Sequence, residues 1–227
     1  MSEVATAYSG ADNLEIMEAA VRYNAFLRGL VTARAGRGDE ILDFGAGAGT
    51  LARPLAAEGF RVACVEPDDA LRARLVGLPA YAELPADRFD LIYSFNVLEH
   101  IADDSGTVEA LRDRLKPGGR LLIYVPAFPV LFGSMDRKVG HLRRYRRAGL
   151  AGLVSAAGLR VETARYQDCL GFFAALAFRW FGNDSGAIDE GALVAYDRFV
   201  FPLSRALDRW FGGWFGKNLM VVARRDD

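Results

Sequence analysis

The chain has 227 residues, 52% of them hydrophobic and 25% charged, and its Lys+Arg 28 against Asp+Glu 29 leaves a net charge of −1. That composition supplies a buried core, and it excludes wholesale disorder and, for the chain as a whole, a polyanion binder. Cys64 and Cys169 are the two cysteines and form no CxxC or Cys/His cluster, which excludes a disulfide scaffold and a zinc module. The N-terminal residues lack a basic segment followed by an apolar one. The longest uncharged apolar stretch, Cys169 to Phe178, is about half a membrane span, so the expectation is a cytoplasmic protein.

In chain order, Asn13 to Arg34 reads as a helix. Glu40 to Phe44 is a short apolar strand running into Gly45-Ala-Gly-Ala-Gly49, and Thr50 to Glu58 is a helix stopped by Gly59. Arg61 to Val65 is a strand, Asp69 to Val76 a helix, Asp90 to Ser94 a strand, and Gly106 to Leu115 a helix ended by Lys116-Pro-Gly-Gly119. Arg120 to Val125 has the nearly continuous apolar character of a buried parallel strand. Ala148 to Ala157 is helical, Arg160 to Tyr166 a strand, and Asn218 to Ala223 a last strand. Strands alternating with helices of about ten residues indicate βαβ units and a parallel sheet.

The three glycines at 45, 47 and 49 stand between a strand and a helix, where absent Cβ atoms let a ligand approach the backbone. A tight strand–helix turn has similar needs. The next strand, however, ends in Val65-Glu66-Pro67-Asp68, and a carboxylate about 20 residues past the glycines suits the hydroxyls of a ribose. A nicotinamide-binding loop would read GxGxxG, whereas Thr50 fills the third glycine position. The sequence from Asp43 through Gly49, followed in order by Glu66-Pro67, Phe89 to Ile101 and Leu115 to Ile123, resembles the class I S-adenosylmethionine-dependent methyltransferases over roughly Glu40 to Arg165.

That resemblance implies a Rossmann-like, seven-stranded, mostly parallel sheet with a reversed last strand, and S-adenosyl-L-methionine as cofactor. Asp43, Gly45, Ala46 and Gly47 would hold its methionine part and Glu66 its ribose. The adenine would lie between Pro67 and the Glu83–Leu84 turn, with Asn96 facing the methionine end. Family members often carry an aspartate where Tyr81 stands here, and Glu83 would take over its contact. No metal is required by this chemistry. Tyr23, on the leading helix, would cover the methionine end or pack that helix onto the domain.

The acceptor side rests on two histidines. His100 follows the fourth strand, at the sheet edge where open α/β folds place their sites. His141 lies in a segment rich in cations, with Arg137, Lys138, Arg143, Arg144, Arg146 and Arg147 against Asp136. The segment is a solvated charged loop or an acceptor site, and guanidinium forks suit carboxylates and phosphates. On the second reading His141 is the favoured base, with Tyr145 and His100 beside it, and Arg143, Arg144 and Phe128 contact the acceptor. The Gly140-His-x-Arg-Arg-Tyr145 pattern also resembles a bacterial methyltransferase subgroup, some of whose members are associated with glycan or lipid-linked assembly.

Twelve of the 26 aromatic residues fall between Leu170 and Phe215. Asp168 to Phe181 and Ala192 to Trp214 both read as helical, with Gly182 to Gly186 as the break. This insertion would form an apolar wall for the acceptor, pack on the domain, or make a homodimer or peripheral membrane contact. A single domain over residues 1–227 therefore divides into a capping helix at 12–35, a cofactor core at 40–125, an acceptor loop at 126–147 and the insertion at 167–217. The expected reaction is methyl transfer to a small-molecule, anionic or lipid/glycan-linked acceptor, with oxygen favoured, nitrogen and carbon open, and nucleic acid not expected. The rivals are an NAD(P)-dependent oxidoreductase on a similar sheet and a non-catalytic cofactor-binding or interaction protein.

Overall fold

The computed structural model describes residues 16–181, 185–187 and 189–226. Asn13 to Glu15 of the expected first helix, and Gly182 to Asp184 of the expected break, lie outside them. Short apolar runs bounded by glycine or charge form β1 (Glu40–Phe44), β2 (Arg61–Val65), β3 (Ala80–Tyr81), β4 (Phe89–Phe95), β5 (Leu115–Pro126), β6 (Arg160–Gln167) and β7 (Asn218–Arg224). They lie in the order β3-β2-β1-β4-β5-β7-β6, parallel except for β7, which runs antiparallel to both neighbours. The helices are α1 (Val21–Thr32), α2 (Ala52–Ala57), α3 (Asp69–Ala73), α4 (Asp104–Asp113), α5 (Ser134–Lys138), α6 (Arg147–Ala156), α7 (Cys169–Phe181), α8 (Glu190–Ala195) and α9 (Phe201–Phe211).

Successive side chains of a strand point to opposite faces, so neighbouring residues feed different cores. Leu42, Ile92 and Leu121 pack with Val108 and Leu111 of α4 and Leu150 and Val154 of α6. Ile41, Leu91 and Leu122 pack with Tyr23, Leu27 and Val31 of α1, Leu55 of α2 and Phe201 of α9. The strand order reverses between β1 and β4, and a crevice opens at the carboxyl ends of strands at such a switch point. The glycine loop, Glu66 and Asn96 all follow strands at that edge.

Among the differences from expectation, two have a clear cause in the sequence. Lys116-Pro-Gly-Gly119 does not merely end a helix but belongs to β5, where the register with β4 shifts between Phe89 and Leu91. Gly118 has φ +74°, and a Cβ on Gly119 would sit 2.9 Å from the Lys116 carbonyl and 3.0 Å from that of Phe89. The glycines serve a bulge, which only small residues permit. The second difference is in the insertion, where the expected helix Ala192 to Trp214 is three pieces: α8, a π-helical turn (Tyr196–Val200) and α9. Pro202, at the start of α9, has no N–H to continue the ladder.

That π turn directs Asp197 inward. Its carboxylate accepts the backbone N–H of Arg22 and of Tyr23, both at 2.8 Å, and so caps α1, whose own N-cap residue Ala20 has no side-chain acceptor. Asp208 of α9 does the same for α7, accepting from Asp168 at 2.8 Å and Cys169 at 2.9 Å, while Ser204 accepts from Leu170 at 3.0 Å. Helix N-termini leave donors unsatisfied, and the insertion supplies their acceptors from a distance in sequence. No helix among the described residues is long and apolar enough to cross a membrane.

Candidate active site

The glycine loop is fixed from the neighbouring strand: Gly45 and Ala46 donate to the Val65 carbonyl at 2.9 and 3.0 Å. Gly47 donates to Glu66 Oε2 at 2.8 Å, and Asp68 to Oε1 at 3.0 Å. The three glycines have separate reasons. A Cβ on Gly45 would meet Val97 Cγ2 at 2.3 Å, and one on Gly49 would meet Leu75 Cδ2 at 2.8 Å, so packing forbids a side chain at both. Gly47 has φ +55° and nothing within 4 Å of its Cβ position, so this glycine borders open space. An open backbone turn beside the buried Glu66 carboxylate is the combination that a ribose-bearing ligand requires.

Asp43, at the end of β1, is also buried, and burial pushes its carboxyl up to about 7, the Tyr93 hydroxyl opposing and Glu66 adding to the rise. Pro67 and Glu83 are exposed and Leu84 half-buried, beside the paired ends of β2 and β3, where Glu66 donates to the Tyr81 carbonyl at 2.9 Å. Asn96, after β4, adopts φ +55° and donates its N–H to the Tyr124 carbonyl at 2.7 Å. The Tyr23 hydroxyl lies against Asn96 and Tyr124, and burial holds it protonated well above its ordinary range. Tyr23 thus packs α1 onto the sheet and touches Asn96 at the carboxyl end of β4.

The insertion contributes residues that the sequence did not single out. Lys217 Nζ sits 5.7 Å from the ring centres of Tyr23 and Tyr196 and 3.4 Å from Asp168 Oδ2. Asp168 in turn accepts from the Tyr196 hydroxyl at 2.6 Å. A small cavity borders these groups, Asp197 and Phe201. The available signal was a polar residue, Asp197, within an aromatic run.

The two histidines meet each other. The His100 and His141 rings lie edge to face, 4.7 Å between centres. His141 Nδ1 is 2.7 Å from Asp136 Oδ1, and Asp136 also accepts from Arg144 Nε at 2.8 Å, Arg144 Nη2 at 3.0 Å and the Gly133 N–H at 2.8 Å. Burial pushes the Asp136 carboxyl up, but these donors outweigh it and hold it below its ordinary value. In the tautomer this network favours, Nδ1 donates to Asp136, and Nε2 stands 3.7 Å from Glu99 Oε1. Glu99 is 0% exposed, and neither carboxylate oxygen has a hydrogen-bond partner among the described residues. Burial raises its carboxyl to about 8, and it lowers the His100 ring to about 4 with help from His141.

The structure gives the other expected acceptor residues internal partners. The buried Tyr145 hydroxyl contacts Asp104 Oδ2 at 2.8 Å and the Leu98 carbonyl at 3.1 Å. Arg143 pairs with Asp104 at 2.8 Å and the Ala102 carbonyl at 2.9 Å, and the Arg144 fork is closed on Asp136. These three residues brace the segment, and the buried Arg144 guanidinium in particular has the carboxylate partner that burial requires. Phe128, at φ +60°, stacks on Tyr166 at 4.6 Å and meets Phe172 edge-on at 5.3 Å. From Phe172 the rings continue to Phe215 at 5.7 Å, then to Phe173 at 5.5 Å and Phe211 at 5.8 Å, and from Phe211 to Trp214 at 6.3 Å.

A family model described as a methyltransferase domain matches residues 17–164, and the chain belongs to that family. Two curated relatives are ubiquinone biosynthesis O-methyltransferases. That of Xylella fastidiosa (strain M23) is 36% identical over 102 residues, covering 38% of this chain and 41% of the relative. That of Paramagnetospirillum magneticum is 32% identical over 117 residues, covering 42% and 47%. The chain thus spans less than half the length of these relatives. Among solved structures, the complex between the Haloferax volcanii Trm112 methyltransferase activator and a methyltransferase provides a chain with TM-score 0.69 at 18% identity, covering 99% of this chain and 100% of that one. The Burkholderia thailandensis 1,6-didemethyltoxoflavin-N1-methyltransferase gives TM-score 0.60 at 19% identity, covering 97% and 84%. These likenesses show the class I methyltransferase fold.

Proposed function

We propose that this chain transfers the methyl group of S-adenosylmethionine to a hydroxyl on a small apolar or lipid-linked acceptor. The observation that carries the cofactor assignment is Gly47, open to space while its N–H is held by the buried Glu66 carboxylate. Glu66 takes the ribose, Pro67, Glu83 and Leu84 flank the adenine, and Asp43, Gly45, Ala46, Gly47, Asn96 and Tyr23 surround the methionine part. When bound, the cofactor supplies an electrophilic methyl group on a sulfonium, so the chain's task is mainly alignment.

Oxygen as acceptor is supported by the relatives' O-methyltransferase names and by His141, an imidazole held at Nδ1 by Asp136 whose Nε2 can take a hydroxyl proton. An apolar acceptor is supported by the row of rings from Phe128 to Trp214. The same surface supports a cytoplasmic protein that touches a lipid surface.

Calorimetry tests the cofactor assignment. S-adenosylhomocysteine should bind and NAD should not, and Gly47→Ala should lose at least tenfold in affinity while keeping the wild-type circular dichroism. Binding of NAD, or no binding of S-adenosylhomocysteine, would overturn the reading. Mass spectrometry of cell extract incubated with labelled cofactor then identifies the acceptor.

A further inference from the structure

Glu99, His100 and His141 are more than a proton outlet. Their ligand atoms all lie within 4.8 Å of one another. We propose that this cluster binds one divalent first-row transition metal ion, with coordination positions left open toward the acceptor. The inference rests on the methyltransferase reading only for the identity of what fills those open positions.

The carboxylate is the first argument. Glu99 is fully buried with both oxygens unpartnered among the described residues, an arrangement that native proteins avoid unless something else meets the charge. The nearest cationic side chain, Arg144, is already closed on Asp136. His141 Nε2 stands 3.7 Å from Glu99 Oε1, too long for a hydrogen bond and right for two ligand atoms on one ion. Ligands about 2.0–2.2 Å from one ion stand roughly 3–4 Å from each other, so atoms within 4.8 Å of one another need to draw together only slightly to share one.

The second argument is how the imidazoles are held. Metal-ligating histidines donate their other ring N–H to a carboxylate or carbonyl, which fixes the tautomer. His141 does this through Nδ1 to Asp136, and Asp136 is itself locked by Arg144 and the Gly133 N–H. The His100 ring is engaged by the Gly140 backbone. Two imidazoles and one carboxylate favour zinc, cobalt, manganese or iron over magnesium and calcium, which prefer all-oxygen shells. With the ion in place, His141 Nε2 is a ligand and no longer a base. The metal then lowers the proton affinity of a bound acceptor hydroxyl, whose proton leaves to solvent.

The chain has two histidines and both are in the cluster, so cobalt bound by imidazole in tag-free protein reports on this site alone. Chelator-stripped protein should take up one equivalent of Co2+ with visible d–d absorption, displaced by Zn2+ and not by Mg2+. Glu99→Gln and His141→Ala should abolish the band, and Asp136→Asn should weaken binding by about 10–100-fold, the usual effect of losing an outer carboxylate. Each protein is checked with S-adenosylhomocysteine. Wild type that binds S-adenosylhomocysteine and shows no cobalt band overturns the metal site and leaves the methyltransferase reading intact. A cobalt band without S-adenosylhomocysteine binding does the reverse. A band that persists in both Glu99→Gln and His141→Ala also overturns the site.

Discussion

Asp43 shows how a single buried side chain links the site to stability. Its carboxyl is raised to about 7 in the folded chain, against about 3.9 for an exposed aspartate. Between those values the folded state binds more protons than the unfolded one, so this residue makes stability fall as pH rises from about 4 to about 7 and adds no slope above that. Asp43→Asn keeps the shape and removes the ionisation. The thermal-midpoint advantage of Asp43→Asn over wild type should therefore grow from pH 5 to pH 7, by at most about 1.4 kcal/mol per pH unit, or about 3–6 °C. It should then level off by pH 8. A constant advantage over the whole range would show that Asp43 ionises like a surface aspartate. At this scale the sequence disclosed the motif and not its burden: Asp43, Gly47 and Glu66 were legible by spacing, whereas the unpartnered state of Glu99 was not. Likewise Arg143 and Arg144 read in the sequence as part of a charged loop or an acceptor site, and their pairing with Asp104 and Asp136 appears only on folding.

At the scale of elements, the strands were legible where an apolar run is bounded on both sides by charge or glycine, as β1 and β2 are. The π turn was not, because the amphipathic pattern of Ala192 to Trp214 runs through it and only Pro202 marks the interruption. Its function is tertiary. Asp197 ties α1 to the insertion and Asp208 caps α7 within it, so the leading helix that carries Tyr23 depends on a segment about 175 residues further along the chain. Asp197→Ala leaves the Arg22 and Tyr23 N–H groups without their acceptor, which costs about 1–2 kcal/mol by the usual scale of lost caps. Hydrogen exchange across Val21–Thr32 should accelerate in this variant, and cofactor affinity should fall with it because Tyr23 sits against Asn96. Unchanged protection of that helix would remove the capping role. Asp197→Asn, which retains one acceptor oxygen, should fall between the two.

For the whole molecule, the near-zero net charge hides two different surfaces. The methyltransferase match ends at residue 164, and the insertion beyond it carries most of the exposed large hydrophobic residues among those described. Trp180, Trp210 and Trp214 are 66%, 77% and 74% exposed, with Phe173, Phe199 and Leu203 also exposed. Exposed Arg179, Arg198 and Arg209 stand among them in the sequence. Tryptophan beside arginine suits the headgroup region of an anionic membrane, where the ring sits at the interface and the cation meets lipid charge. A lipid-linked acceptor would then approach from the membrane along the apolar row of rings from Trp214 to Phe128. The chain's three tryptophans are all in this region, so its intrinsic fluorescence reports contact there and nowhere else. Vesicles containing anionic lipid should shift the emission to shorter wavelength, neutral vesicles should shift it much less, and Trp210→Ala with Trp214→Ala should weaken vesicle flotation at least severalfold. If vesicles leave the emission unchanged while sedimentation shows a dimer that the same double variant dissolves, the surface joins two copies of the chain and the acceptor must reach the site from water.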